Sequence, residues 1–259
     1  MVCLRPLYPH PALLLEQEVK GIKRKYLVVA DLHIGFEAQM KLQGVVFDSK
    51  HTVNTMLEDL LVLVKEHKID AVILLGDVKS TVRFISKQEW NEVPSFFRVL
   101  SASTNVYLVP GNHDGNLGLL VPPSINIMST KGMVLNGTLL LHGHTMPSSV
   151  RGSISRVIMG HIHPVFSRTD SALNGQRIWL YLKVRKRLMF TGGEGLVDII
   201  IMPSFNKKIH AMLHKKYGKP LSPIVSRALE SCAIEEAMVA TMDGSLFVVD
   251  SRLVASILS

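Results

Sequence analysis

Seven continuous apolar runs, rich in β-branched residues, constrain this chain more than any other feature of its sequence. Runs of this kind are typical of strands that are covered on both faces. In the first half of the chain they alternate with helical patterns, which predicts a layered α/β architecture. After about residue 138 few helices intervene, so we expect the second half to be richer in sheet. The predicted strands are residues 25–31, 71–77, 105–111, 138–144, 156–163, 178–184 and 197–203.

Two amphipathic helices are predicted between these strands. The first follows Asp48 or Ser49, either of which could cap it, and its apolar residues recur with helical spacing. The second begins at Ser86, which has capping-box spacing with Glu89, and Pro94 could interrupt its first turns. Its buried face would hold Trp90, Val93, Phe97 and Leu100.

Residues 207–259 are predicted to extend the same domain. They contain a short helical pattern and then a hairpin with an Asp243-Gly244 turn. No linker rich in proline, glycine or serine precedes them. We therefore expect a single domain over residues 1–259, with a catalytic core at about 25–206.

The composition of the 259-residue chain, with 47% hydrophobic and 19% charged residues, is that of a folded globular protein. Its apolar runs are far shorter than the ~20 residues of a membrane span. Prolines and charges stand in the N-terminal stretch where a signal peptide would be apolar. Cys3 and Cys232 have no motif around them, which favours free thiols in a reducing compartment. We expect a soluble, cytoplasmic protein with no membrane partner.

Polar residues with metal-binding side chains directly follow five of the predicted strands. Six of the 11 histidines lie in these short segments. Because the carboxyl ends of strands in an open α/β sheet converge on one crevice, we expect the segments to meet there. The segments are Asp31-Leu32-His33, Gly76-Asp77, Gly111-Asn112-His113-Asp114, His142-Gly143-His144 and Gly160-His161-Ile162-His163.

The ligands that these segments offer are too many for one tetrahedral zinc ion, since they include two carboxylates, an amide oxygen and several imidazoles. Mixed oxygen and nitrogen ligands suit two divalent ions such as manganese, iron or zinc. Paired metals roughly 3.5–4 Å apart are typical of hydrolytic sites, where they activate water. A single segment could be chance or turn chemistry, but five in order are very hard to obtain by accident.

The segments ADLH, LLGD, GNHD, LHGH and GHIH, in this order over about residues 28–163, resemble the five motifs of the calcineurin-like metallophosphoesterases. The wider stretches DLHIGFE, GHIHP and IIIMPSFN are similar to archaeal phosphoesterases related to the SbcD/Mre11 nucleases. The resemblance implies an α/β fold of two stacked mixed β-sheets flanked by helices. It also implies a hydrolase that acts on phosphate ester bonds.

The same resemblance implies two sets of metal ligands that share one carboxylate. Asp77 would bridge, since a carboxylate has two oxygens whereas an imidazole cannot span two cations. Manganese is the expected ion, with iron, zinc or nickel as alternatives. A bridging water, its pKa lowered by both metals, would become the hydroxide that attacks phosphorus. The first set is Asp31, His33, Asp77 and His163, and the second is Asp77, Asn112, His142 and His161.

Three other residues of the segments have expected roles in catalysis or substrate binding. His113 has no metal to bind and is the candidate general acid, which would protonate the leaving alkoxide. Asp114 could orient or charge-stabilise the His113 ring, with a simple turn carboxylate as the alternative. His144 could contact the substrate or stand as a solvated residue behind the ligands.

Departures from the family pattern bear on the substrate. Protein phosphatases of the superfamily carry an arginine at the position of Thr81, and the Mre11-type nucleases carry a histidine at that of Ser80. Neither precedent transfers directly. The leading prediction is a phosphodiesterase that acts on nucleic acid or a nucleotide. A phosphomonoesterase of a small phosphate ester and a non-catalytic binding module on the same fold stay open.

Basic residues offer candidate contacts to a phosphate backbone, and the net charge of +8 is compatible with a nucleic-acid partner. Lys183, Arg185 and Arg187 would share one face if their strand continues, and residues 20–25 and 214–219 are also basic. Lysine-rich edges also prevent strand-to-strand aggregation. We find no stretch that interleaves aromatic with basic residues, which favours this second interpretation.

Overall fold

The computed structural model describes residues 2–42, 44, 49–147, 153–168, 170–191, 193–209 and 222–258. Its helices are α1 (Phe36–Leu42), α2 (Ser49–His67), α3 (Lys87–Ser103), α4 (Lys186–Met189), α5 (Pro223–Glu230) and α6 (Ser251–Leu258), with a 3-10 turn at Leu117–Leu119. Its strands are β1 (Val2–Pro6), β2 (Leu13–Val19), β3 (Ile22–Val29), β4 (Ala71–Leu75), β5 (Asn105–Val109), β6 (Asn126–Ile127), β7 (Met133–Leu135), β8 (Thr138–Leu141), β9 (Arg156–Met159), β10 (Ile178–Arg185), β11 (Leu196–Ile201), β12 (Ile234–Thr241) and β13 (Leu246–Val249).

The strands form two mixed sheets. The first sheet has the order β1-β2-β3-β4-β5-β6, in which β3 to β6 run parallel and β1 and β2 pair antiparallel. The second has the order β13-β12-β10-β11-β9-β8-β7, in which β8, β9 and β11 run parallel and the other pairs are antiparallel. Each sheet therefore contains a parallel block whose carboxyl ends can carry a site.

Apolar layers cover both faces of each sheet. Between the sheets, Leu15 and Ile73 of the first sheet pack in one cluster with Ile158 and Trp179 of the second. The outer face of the first sheet packs against α2 and α3, and that of the second against α4, α5 and α6. Burial on both faces explains the continuous apolar runs of the sequence. Two stacked mixed sheets flanked by helices confirm the predicted fold class.

All seven predicted strands are present, and β1, β2, β6 and β7 were not predicted. Strands β1 and β2 escaped prediction because β1 is short and contains proline, while the second half of β2 is polar. The predicted hairpin with its turn at Gly244 is formed by β12 and β13, and β12 pairs with β10. The basic stretch at 214–219 and the proposed cap at Asp48 lie outside the described residues.

Helix α3 begins with the predicted capping box. The backbone N–H of Glu89 donates to Ser86 Oγ (3.2 Å), and the Glu89 carboxylate accepts from the Ser86 N–H (2.6 Å). The helix continues through Pro94. The prediction that Trp90 lies on the buried face is wrong, because the buried face is centred on Val93 and Leu100 and Trp90 is 49% exposed.

The strand that carries Lys183 ends before Arg187, so it is shorter than the prediction of a shared basic face required. Strand β10 ends at Arg185, and Arg187 lies in α4, so the three basic residues do not continue along one strand face. Among the described residues, no helix combines the length and apolar character needed to cross a membrane.

Candidate metal centre

The side chains predicted as metal ligands meet where the parallel strands of the two sheets end. Five of these residues have positive φ angles, a conformation that aspartate and histidine adopt more readily than most residues. Left-handed backbone in non-glycine residues costs on the order of 1–3 kcal/mol each and persists where the surroundings enforce it. The angles are +60° for Asp31, +44° for His33, +51° for Asp77, +71° for His161 and +52° for His163.

The first predicted ligand set is assembled around His33, which is buried. His33 Nε2 lies 3.2 Å from His163 Nε2 and 3.5 Å from Asp77 Oδ2. His163 Nε2 lies 3.3 Å from Asp31 Oδ1. Asp31, His33 and His163 each offer a ligand atom within 4.8 Å of the others, which is close enough for all three to hold one ion.

The second predicted ligand set is assembled around His142, whose side chain is fully buried. His142 Nε2 lies 3.3 Å from Asp77 Oδ1, 3.1 Å from Asn112 Oδ1 and 3.2 Å from His161 Nδ1. The two oxygens of Asp77 therefore face different ligand sets, Oδ1 the second and Oδ2 the first.

The donor chemistry of the second set fits a bound cation. His142 Nδ1 lies 2.8 Å from the carbonyl oxygen of Leu75 and donates its proton there. In the neutral ring, Nε2 then carries a lone pair and is an acceptor. It faces two further acceptors, the oxygens of Asn112 and Asp77. The lone pairs of these acceptors repel one another unless a proton or a metal ion lies between them. A divalent ion satisfies all of them at once.

Glycines leave room for this convergence. A Cβ added to Gly160 would lie 2.6 Å from Asp31 Oδ2, and one added to Gly76 would lie 2.5 Å from the His142 ring. A Cβ on Gly111 would lie 2.9 Å from His142 Nε2. Contacts this short force a neighbour to move, so even alanine at these positions displaces a predicted ligand.

Burial and mutual charge shift the pKa values of the cluster strongly. Burial would lower the pKa of His142, but Asp77 and Asp31 raise it to about 9. Burial lowers the pKa of His33 to about 3, against an opposing effect of Asp77, and that of His161 to about 4. Burial alone would raise the pKa of the Asp77 carboxyl, but the surrounding histidines lower it well below its usual range. The cluster thus keeps ionised carboxylates beside neutral His33 and His161 rings, which is the protonation state that binds metal, whereas His142 carries a proton that a metal ion would have to displace.

Acid should destabilise the metal-free protein through His33 and His161. Their unfolded forms take up protons near pH 6.5, whereas the folded forms stay neutral until about pH 3 and 4. Stability is therefore lost as the pH falls from 6.5 to 4.5, by about 2 kcal/mol per histidine. Asp114 offsets part of this loss, because burial raises the pKa of its carboxyl to about 6 and its protonation favours the folded state.

Urea unfolding of metal-stripped protein at pH 6.5 and 4.5 tests this expectation. The variant His161→Gln should lose less stability between the two pH values than the wild type. His142 contributes in the opposite window, since its raised pKa gives stability that is complete below pH 6.5 and lost towards pH 9. Equal stability of the wild type at pH 6.5 and 4.5 would contradict the expectation.

His113 lies at the edge of the cluster and is held by a backbone carbonyl. Its Nδ1 donates to Ser80 O, its N–H donates to Asp77 Oδ1 (2.9 Å), and its Nε2 lies 3.8 Å from Asp77 Oδ2. With Nδ1 occupied, Nε2 is the atom available to a substrate. The same position also puts His113 within reach of an ion shared with His33 and Asp77.

Asp114 braces two loops, and its carboxylate is not hydrogen-bonded to the His113 ring. Its Oδ1 accepts from the N–H groups of Val78 (2.9 Å) and Lys79 (3.3 Å), and its Oδ2 accepts from that of Gly111 (2.8 Å). The hydrogen bond of the His113 ring goes to the Ser80 carbonyl, and a charge-stabilising effect of Asp114 on that ring stays a prediction. Every residue has a backbone carbonyl, so the residue types in the sequence could not show that this one accepts from His113.

The residues predicted to contact the substrate differ in their distance from the candidate metal centre. The His144 ring lies 5.3 Å from that of His142 and 6.2 Å from that of His161, so it stands beside the second ligand set. The structure does not bring Lys183 and Arg185 to the site. Strand β10 runs antiparallel to β11, so both residues lie at the far end of the sheet, where they pair with Glu236 and Glu235.

Two buried polar residues that the ligand pattern did not single out support Asp31. Ser204 Oγ donates to the carbonyl of Asp31 (2.9 Å), and Asn206 Nδ2 donates to that of Leu32 (2.9 Å). Both follow β11 in the stretch PSFN. Polar residues directly after a buried strand were the available signal, and in this case they hold the backbone at a predicted ligand, Asp31.

This layered α/β fold, with histidines and aspartates gathered at its strand ends, defines a hydrolase of phosphate esters that works with divalent metal ions. The chain belongs to the calcineurin-like phosphoesterase family, whose model matches residues 24–153, half of the chain. The match includes Asp31, Asp77 and His142 but ends before His161 and His163.

Solved structures match the chain at low sequence identity. The nuclease MPE of Pseudomonas putida is 19% identical, with a TM-score of 0.52 over 91% of this chain and 100% of that one. A novel archaeal phosphodiesterase (13% identical, TM-score 0.36, 86% and 99% covered) and the E. coli phosphoesterase Yfce (14%, 0.39, 86% and 97%) also match. TM-scores below 0.5 do not establish a shared fold for these two proteins. No curated protein sequence matches the chain.

Proposed function

We propose that the protein hydrolyses phosphodiesters with two divalent metal ions that share Asp77. The observation that carries this proposal is the position of the Asp77 carboxylate, whose oxygens face two separate groups of acceptors. The first site would be completed by Asp31, His33 and His163. The second would be completed by Asn112, His142 and His161. Carboxylate, amide and imidazole ligands suit manganese, with iron, zinc or nickel as alternatives.

The bound ions would supply an activated water and neutralise charge on the phosphoryl group. The protein supplies the remaining chemistry through His113. The Ser80 carbonyl fixes the ring by its Nδ1 proton, so a protonated ring presents Nε2–H to the leaving oxygen. Nε2 lies 3.8 Å from Asp77 Oδ2, which places the proton-donating atom beside the proposed metal ions.

The loop after Asp77 favours a diester over a monoester. Thr81 occupies the place of the phosphatase arginine, and its hydroxyl is buried against Glu89 (2.5 Å) rather than directed to the site. A monoester dianion carries one more charge than a diester and gains more from such a cation. Without it, the monoester loses its advantage.

Hydrolysis of bis-p-nitrophenyl phosphate and p-nitrophenyl phosphate by metal-stripped protein titrated with manganese tests the proposal. We expect manganese-dependent turnover that saturates at two ions per chain, with the diester preferred. Preference for the monoester would favour a phosphomonoesterase. No turnover of either ester with two ions bound would favour a binding module and contradict the proposal.

We also propose that the chain is one cytoplasmic domain. The C-terminal strands β12 and β13 extend the second sheet beyond β10, so the C-terminal residues share a sheet with β8 and β9. Cys3 and Cys232 are free and exposed, as suits a reducing compartment.

A further inference from the structure

Two exposed aromatic side chains lie among basic ones in residues 83–90. Phe84 is 63% exposed and Trp90 is 49% exposed, and Arg83 and Lys87 are exposed beside them. We call these four residues the aromatic rim. Basic and aromatic residues therefore do interleave in this chain, contrary to the sequence prediction, because Trp90 is exposed rather than on the buried helix face.

The loop that begins the aromatic rim also contacts the candidate metal centre. Ser80, whose carbonyl holds the ring of the candidate general acid His113, begins the same loop. Thr81 Oγ1 donates to the carbonyl of Phe84 (2.6 Å), which folds the loop back on itself. The carbonyl of Val82, in the same loop, lies close to Gly115, since a Cβ added to Gly115 would be 3.5 Å from it. Phe84 therefore lies on a closed turn, four residues after Ser80, whose carbonyl holds the His113 ring.

Buried polar groups hold this turn in one shape. The Glu89 carboxylate accepts from the N–H groups of Ser80 (2.9 Å) and Thr81 (2.7 Å) and is fully buried. The Lys79 ammonium, also fully buried, donates to the carbonyl of Thr81. An aromatic residue on a rigid turn binds a planar ligand at a lower entropic cost than one on a mobile loop.

We propose that the aromatic rim binds the nucleobases of a single-stranded nucleic acid whose phosphodiester lies at the metal centre. Stacking on Phe84 and Trp90 needs unpaired bases, and Arg83 and Lys87 can contact the neighbouring phosphates. None of the ion pairs among the described residues occupies either cation. The net charge of +8 suits a polyanion. This inference rests on the proposed phosphodiesterase function and names its substrate class.

Cleavage kinetics of the manganese-loaded protein test the inference. The substrates are a single-stranded DNA oligonucleotide and the same oligonucleotide with abasic tetrahydrofuran residues. We expect kcat/KM to favour the base-bearing strand, and this preference to fall on the order of tenfold in Phe84→Ala and in Trp90→Ala. The matched control is Phe247→Ala, an exposed aromatic on the edge strand β13 (41% exposed), which should keep the preference.

Tryptophan fluorescence gives a second readout that needs no turnover. The chain has two tryptophans, and Trp179 is fully buried, so a stacking base can reach only Trp90. Oligothymidylate added to the metal-stripped protein should quench the emission, and Phe84→Ala should weaken the binding about tenfold. The variant Trp90→Phe should show no quenching.

Three results would overturn the inference: equal cleavage of the base-bearing and abasic strands, an unchanged preference in Phe84→Ala, or no quenching by oligothymidylate. If the aromatic rim binds a protein instead, the preference should be unchanged in Phe84→Ala and oligothymidylate should cause no quenching. If the wild type hydrolyses no diester at all, the proposed function fails, and the fluorescence titration still decides whether the rim binds bases.

Discussion

Replacement of Asp77 by alanine should abolish activity and strip the protein of metal. The Asp77 carboxylate faces both ligand sets, so its loss removes one ligand from each and the negative charge between them. We expect kcat/KM for bis-p-nitrophenyl phosphate to fall by more than about 10³-fold, beyond the ~10–100-fold typical of residues that only support a ligand. Bound manganese, measured by elemental analysis, should fall from two ions per chain to less than one.

Two further variants make this result interpretable. Asp77→Asn keeps the shape of the side chain and tests whether the charge rather than the fold is lost. Asp170→Ala removes an exposed carboxylate that pairs with Arg168 on the surface and should change neither activity nor metal content. An Asp77→Ala protein that kept activity within tenfold of the wild type would contradict the shared-ligand arrangement.

Replacement of His113 by glutamine should separate two classes of substrate. A general acid matters most when the leaving oxygen is a poor leaving group, so we expect a loss of about 10²–10⁴-fold for an alkyl diester such as a dinucleotide. The loss should be much smaller for bis-p-nitrophenyl phosphate, because its nitrophenolate leaves without a proton. Metal content should stay at two ions per chain, since His113 is assigned to neither ligand set.

The position of His113 beside His33 and Asp77 supplies the competing outcome. If His113 were a metal ligand, His113→Gln would lower the metal content and would slow both substrates by similar factors. Metal analysis and the two leaving groups therefore distinguish a proton donor from a ligand. Similar losses for both leaving groups would contradict the assignment of His113 as general acid.

The sequence predicted those parts of the molecule that follow from local pattern. Seven strands could be read from continuous apolar runs, because burial on both faces removes polar residues from a strand. The capping box of Ser86 and Glu89 could be read because its spacing reflects local hydrogen bonds. The side chains predicted as ligands lie close together, because parallel strands deliver their carboxyl ends to one edge.

Features set by tertiary structure or by the backbone escaped prediction. The carbonyl of Ser80 orients His113, and every residue type has a carbonyl. The distance of Lys183 and Arg185 from the site depends on the antiparallel direction of β10, which residue types do not encode. Trp90 fitted the helical period of the buried face, but Glu89 occupies that face because it bonds the loop before the helix.

The division of the two sheets along the chain has a consequence for the site. Strands β1 to β6 end at residue 127, and β7 to β13 begin at residue 133, so each sheet is built from one consecutive half of the polypeptide. Asp31, His33, Asp77 and Asn112 come from the first half, and His142, His161 and His163 from the second. Each proposed metal site draws on both halves. Neither half, expressed as a separate fragment, holds a complete site, and activity restored by mixing two inactive fragments would report directly that the sheets had docked.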